Sequence, residues 1–197
     1  MIDNIKVLRK IITGLRARYR LHCSAFDGAC RGYGLSAFIC LAVVTPASAQ
    51  DLAFSAETTE ACFSEEREGG DAFGKCVGIA ADACMEQPGG YSTVGKSTCF
   101  DHERRFWDDR LNAAYKQVRA EAKAMDAEMA EIGSSAPRQA EALRDMQRAW
   151  ITFRDAKCNY ERSLWGGGTG GGPATLACLV YETAQQALFL EANQGLN

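Results

Sequence analysis

Three segments carry residue types and spacings that could do chemistry, and each meets a physical objection. Gly90-Tyr-Ser-Thr-Val-Gly95-Lys96-Ser97 has the G-x-x-x-x-G-K-[ST] spacing of a loop that wraps phosphate in backbone N–H groups. Such a loop must follow a buried strand. The residues before it, Asp82-Ala-Cys-Met-Glu-Gln-Pro88, have no strand pattern, and no apolar strand ending in a Mg²⁺-binding Asp follows. Nucleotide is therefore not an expected ligand, and the segment reads as a disulfide-closed loop. Trp165-Gly-Gly-Gly-Thr-Gly-Gly-Gly-Pro173 holds no basic residue, so it reads as a flexible helix connection or a pliable tip for a partner's cleft. His102 lies between Asp101 and Glu103 and reads as an exposed surface residue rather than a general base. Asp108, Asp109 and Glu182 read as solvated helix faces. No serine sits in a sharp strand–helix turn. An enzyme is not expected, nor a cofactor.

The remaining reactive side chains are cysteines, nine in all. Cys23, Cys30 and Cys40 lie within a segment that resembles an export signal. Lys6, Arg9, Lys10, Arg16, Arg18, Arg20 and Arg31 precede the apolar run from Leu35 to Val44, and Ala47-Ser48-Ala49 supplies an A-x-A cleavage site. The apolar run is about half the length that a bilayer crossing needs, so a membrane span is not expected. The basic region is long enough that a true start near Arg31 stays open, with residues 1–30 an over-called start. Ile39 before Cys40 is too large for a lipid-attachment site, so no lipid anchor is expected. Residues 1–49 are thus assigned as a signal peptide. The six cysteines left, Cys62, Cys76, Cys84, Cys99, Cys158 and Cys178, are an even set suited to three disulfides in an oxidising compartment, periplasmic or secreted. Zinc is disfavoured, because the cysteines lack C-x₂₋₄-C spacing and only His102 is at hand.

Charge separates along the same boundary. Residues 1–49 hold seven Lys/Arg against two acids, and the remainder holds fifteen against twenty-three, a net charge of −8. A body that acidic does not attract nucleic acid or anionic lipid but does attract a basic partner.

The elements that must position these cysteines are helices. Leu111, Tyr115, Val118, Ala122, Met125, Met129 and Ile132 step by 4, 3, 4, 3, 4, 3 along one face. That helix is expected to start near Cys99 with Thr98 as N-cap and to stop at Gly133. Ser134, Ser135 and Pro137 open a second, with the stripe Leu143, Met146, Trp150, Phe153, Tyr160 and Leu164. Gly172-Pro173 opens a third, with Leu176, Val180, Thr183, Ala187 and Leu190. Upstream, Ser55 and Asp71 can cap two short helices over 56–68 and 72–86. The expected fold is all-α: an antiparallel helical bundle with two short N-terminal helices and three longer helices, stapled by disulfides. Cys158 and Cys178 are nearly level across the last hairpin, which favours a Cys158–Cys178 bridge. The same comparison favours Cys62–Cys76 and leaves Cys84–Cys99, with those two pairings open to exchange.

Several motifs carry a family resemblance. Trp107-Asp-Asp-Arg-Leu111-Asn112-Ala-Ala-Tyr115 and Gln147-Arg-Ala-Trp150-Ile-Thr-Phe153-Arg154-Asp155-Ala-Lys-Cys158 resemble two helices of the LprI-like family, and Cys178 with Thr183 resembles its final helix. Cys76–Cys84 and Pro88–Gly95 resemble the upstream region of a bacterial subgroup. The likeness covers about residues 84–193, and where the family's last helix often carries Arg this chain has Gln185-Gln186. The domains implied are 1–49 as leader, 50–87 as a short helical hairpin and 88–197 as the LprI-like helical domain. The family takes its name from a mycobacterial lipoprotein described as a lysozyme inhibitor. The resemblance therefore implies binding to a cationic lysozyme-type muramidase; an envelope interaction or structural protein without that target is the alternative. The motif residues Trp107, Leu111, Asn112, Tyr115, Gln147, Trp150, Arg154 and Asp155 read as mainly structural, with Trp107, Trp150, Phe153 and Tyr115 in the core. An antiparallel bundle brings the 88–97 and 165–173 loops to one end, which makes Tyr91, Ser92, Thr93 and Trp165 the candidate partner-binding edge.

Overall fold

The apolar stripes close on one another as helices, and the described residues contain no strand. The computed structural model describes residues 51–66 and 72–195. The proposed leader, the cut after Ala49 and the Asp71 cap lie outside the described residues. Six helices follow in order: α1 Glu57–Glu65, α2 Ala72–Cys76, α3 Ile79–Met85, α4 Thr93–Glu131, α5 Gln139–Ser163 and α6 Gly171–Ala192. None is long and apolar enough to cross a membrane.

The spine is α4, whose 39 residues span about 58 Å at 1.5 Å per residue. It starts six residues earlier than the Cys99 start expected from Thr98. Ser92 is the N-cap and accepts from the Gly95 N–H at 2.9 Å, while the Thr98 hydroxyl donates back to the Val94 carbonyl inside the helix. On α4, Trp107, Leu111 and Ala114 meet Val180, Ala184, Ala187 and Leu190 of α6, and these form the main core. The alanines let the two helices approach closely. They run parallel: Gly172 lies beside Ser97 at one end, and the Gly195 N–H donates to Glu121 at the other. Helix α5 returns antiparallel, since Gln147 meets Gln186, Lys157 meets Glu182 and Cys158 meets Cys178.

Part of the expected α5 stripe is not in the core. Phe153, Tyr160 and Leu164 are 59%, 65% and 66% exposed, because α6 covers the α5 face marked by Gln147 and Cys158 instead. The start of α5 also differs: neither Ser134 nor Ser135 caps it. Asp126 of α4 does so across the turn, accepting from the Gln139 and Ala140 N–H groups at 2.7 and 3.1 Å.

The second upstream helix divides at Gly78, whose φ of 98° is left-handed and ends one helical run before the next begins. A smaller core of Ala81, Cys84, Met85 and Cys99 joins α3 to α4, with Leu52, Phe54 and Phe100 over it. Gln87 holds the segment before α1 by accepting from the Ala53 N–H and donating to its carbonyl. The bridges are Cys62–Cys76, Cys84–Cys99 and Cys158–Cys178, with Cα separations of 5.5, 5.6 and 5.5 Å. Loops of these lengths give about 3 kcal/mol each in the chain-entropy account.

A carboxylate lies at the joint between the upstream helices and the spine. Glu103 of α4 is fully buried. One oxygen accepts from the Gly78 N–H at 2.7 Å and the Trp107 indole at 3.2 Å, and the other from the Ala81 N–H at 2.8 Å. It caps α3 from another helix, satisfying amides that α3 cannot satisfy itself. Burial lifts its pKa above the usual carboxylate value, the three donors oppose that, and nearby Asp82 adds to it. A raised native pKa in an acid means that stability falls as pH rises from the ordinary value through the raised one, and is regained on acidification. Glu103→Ala is expected to cost about 3 kcal/mol or more in urea denaturation, since it strands two buried donors and the half-buried Gly78 amide. Glu103→Gln costs less and removes this carboxyl's contribution to the pH dependence.

Candidate partner-binding site

The end of the bundle at the α4 and α6 N-termini is built by tight backbone packing. A Cβ on Gly95 would fall 2.3 Å from the Gly89 carbonyl oxygen, and one on Gly90 would fall 2.4 Å from that of Met85. The glycines of the G-x-x-x-x-G-K-S segment thus let the loop fold against its own helix. Helix α3 precedes it where a phosphate loop has a strand.

The four expected edge residues have different occupations. Ser92 is engaged as the α4 cap and also donates to the Gly89 carbonyl at 2.7 Å. Thr93 is the exposed first residue of α4. Tyr91 is 60% exposed, donates its hydroxyl to Glu86, and has the Lys96 ammonium 5.9 Å from its ring centroid. The bond to Glu86 raises the Tyr91 pKa, helped by desolvation and by the charges of Glu86 and Asp82. Trp165 is 54% exposed and lies over Gly170, where an added Cβ would fall 2.2 Å from the ring. The approach of Gly172 to Ser97 brings the glycine-rich loop alongside the first turns of α4. A shallow recess of about 280 Å³ opens there, lined by Asn159, Arg162, Ser163 and loop glycines.

The motif residues divide between core and surface. Trp107 and Leu111 are buried, with Tyr115 and Trp150 packed against their cluster. Gln147 is buried and accepts from Gln186 at 3.0 Å, so one of the two glutamines in the family's arginine region makes an amide pair. Arg154 stacks over Trp150 at 4.9 Å and pairs with Asp155 at 2.8 Å, both on α5. Asn112 is exposed, near Asp108. Three other expectations are corrected. Phe153 lies at the surface and not in the core. His102 is half-buried and stacks on Phe54 with centroids 5.6 Å apart. Glu182 is 3% exposed and pairs with Lys157, so it does not belong to a solvated face.

Several important groups were passed over in the sequence. Glu103, four residues before Trp107 and on its face, was a readable signal: an acid in an apolar stripe. The distribution of charge was another. Residues 50–87 hold nine acids against two Lys/Arg, a net of −7, whereas residues 88–197 hold fourteen against thirteen. Almost all the acidic excess outside the proposed leader therefore lies in the segment that contains α1 to α3. Asp82 and Glu86, one turn apart there, raise the Asp82 pKa through burial first and Glu86's charge second. Among the described residues, no cluster of three His, Cys, Asp or Glu could hold a metal ion.

These features define an all-helical domain closed by disulfides, with buried carboxylates engaged as helix caps and ion-pair partners. The chain belongs to the family described as Lysozyme inhibitor LprI, which matches residues 84–190. It is 27% identical over 118 residues to an uncharacterized 17.7 kDa protein in the puhA 5′ region of Rhodobacter capsulatus, covering 59% of this chain and 73% of that one. An uncharacterized protein of Rhizobium meliloti (strain 1021) is 29% identical over 119 residues, covering 59% and 86%. No solved structure matches.

Ser92 tests how this end is held. Ser92→Ala is expected to lower stability by about 1 kcal/mol. Urea denaturation of the oxidised protein measures it, and hydrogen exchange should localise the loosening to the Gly95 amide and the first turn of α4.

Proposed function

We propose that the protein is exported to the periplasm or secreted, and that it acts by binding a cationic lysozyme-type muramidase and blocking it. The observation that carries this reading is membership of the Lysozyme inhibitor LprI family over residues 84–190. Two features of the chain support it. The portion after Ala49 carries a net charge of −8, which suits a strongly basic target and speeds encounter more than it tightens the complex. The leader-like segment and the three bridges suit an oxidising compartment. The mature chain in this reading starts at Gln50, with the acidic 50–87 module ahead of the 88–197 helical domain. Tyr91, Thr93 and Trp165 offer aromatic and polar contacts at the bundle end, in the way that exposed aromatics anchor interfaces. The protein is not an enzyme in this reading and needs no cofactor.

The disulfide-intact protein, added to a cell-wall lysis assay at low ionic strength, is expected to slow a basic muramidase in proportion to its concentration. The effect should weaken as salt shortens the screening length towards about 8 Å. An unchanged lysis rate at micromolar protein in low salt contradicts the muramidase target and leaves an envelope protein with a different partner.

A further inference from the structure

Among the described residues, the bundle is only two helices thick beyond the end of α6. Helix α6 ends at Ala192, and the Gly195 N–H marks its limit at Glu121 of α4. Helix α4 continues ten residues further to Glu131, and α5 starts back from Gln139. From residue 123 to residue 146 no residue is fully buried. Leu143 of α5 still packs against the main core, yet the apolar stripe of α4 runs on through the arm beyond it: Met125 and Met129 are half-buried and Ile132 is 74% exposed. A paired-helix arm with an apolar stripe and no third layer among the described residues is half of a four-helix bundle.

We propose that this arm is a self-association surface, on which a second copy of the chain lays its own arm tip to base. The charge on α4 is self-complementary in that arrangement. Lys116, Arg119 and Lys123 lie towards the base and Glu128 and Glu131 towards the tip, all exposed and outside any ion pair among the described residues. A two-fold axis across the arm sets the acidic tip of each copy against the basic base of the other. The arm is also where two copies can meet without bringing their acidic modules together. Residues 119–148 hold five Lys/Arg against six acids, compared with the net −7 of residues 50–87. Glu103, which ties down that acidic module, lies 25 residues before Glu128, or about 38 Å along the helix, several screening lengths away. Two such arms bury on the order of 1,000 Å² in total, the lower bound for a specific interface, so the dimer is weak and reversible. This inference stands independently of the muramidase reading.

Sedimentation equilibrium of the oxidised full chain, from about 1 to about 300 µM, tests it, since a weak dimer dissociates within that range. The weight-average mass is expected to rise from one chain towards two. Ile132 is too exposed to be needed for folding, and Ile132→Glu should weaken the dimer at least about 10-fold with the helical circular dichroism unchanged. Glu128→Lys with Glu131→Lys should weaken it too, and adding Arg119→Glu with Lys123→Glu should restore it. A single-chain mass throughout, or a dimer that ignores Ile132→Glu, overturns the proposal. A dimer that responds to Ile132→Glu but not to the charge reversals overturns the tip-to-base register.

Discussion

A carboxylate taken out of water is costly unless its oxygens are occupied, and Glu103 meets that condition with two backbone amides and an indole. The arrangement ties three things together. Gly78 divides α2 from α3, Ala81 begins the wall of the smaller core, and Trp107 is the largest side chain of the main one. One side chain therefore connects the acidic upstream helices, the break between them and both cores. Cys84–Cys99 closes the same joint covalently, but a bridge restricts distance while the carboxylate also sets orientation.

The same device recurs along α4. Asp126 caps the start of α5 and Glu121 receives the Gly195 amide after α6, so the spine supplies acceptors to segments that lack their own. This explains why a chain with few good caps at its helix starts still forms defined turns. Neither α5 nor α6 has a capping bond from its own N-cap side chain. The turn into α5 is fixed in this way from the spine, whereas the glycine-rich 165–173 connection is held from within, the Gly168 N–H donating to the Trp165 carbonyl and the Gly171 N–H to that of Gly168. At the bundle end, Ser92 performs the local version of the same task for α4 itself.

The sequence was most legible where periodicity was long. The 4-3 steps from Leu111 to Ile132 and from Val180 to Leu190 require helices, and an even set of six cysteines after the proposed leader implies three bridges. Boundaries were less legible. Thr98 is an acceptable cap by type, but Ser92 starts the helix because the close packing of Gly90 and Gly95 gives the loop room to turn. The α5 stripe extends past its neighbour because Phe153, Tyr160 and Leu164 share a helical face with Met146, and periodicity alone does not show how far a neighbour reaches. Glu182 departs from the expected solvated face because Lys157 on the facing helix meets it, and a polar type alone does not set exposure. For the candidate edge, sequence and topology placed Tyr91, Ser92, Thr93 and Trp165 near one another in expectation. They did not show that Ser92 is taken by its capping role, or that Trp165 lies over Gly170. The bond of Glu103 to Gly78 spans 25 residues and is tertiary in origin, so no local pattern displays it.

The claim that Glu103 joins the upstream helices to the spine is tested most directly by carboxyl ¹³C NMR across a pH titration of the native protein. The account predicts that the Glu103 side-chain carbon titrates above the range of the exposed glutamates, with the Gly78 and Ala81 amide shifts following the same transition. A Glu103 carbon that titrates with the exposed glutamates, while those two amide shifts stay still, contradicts it.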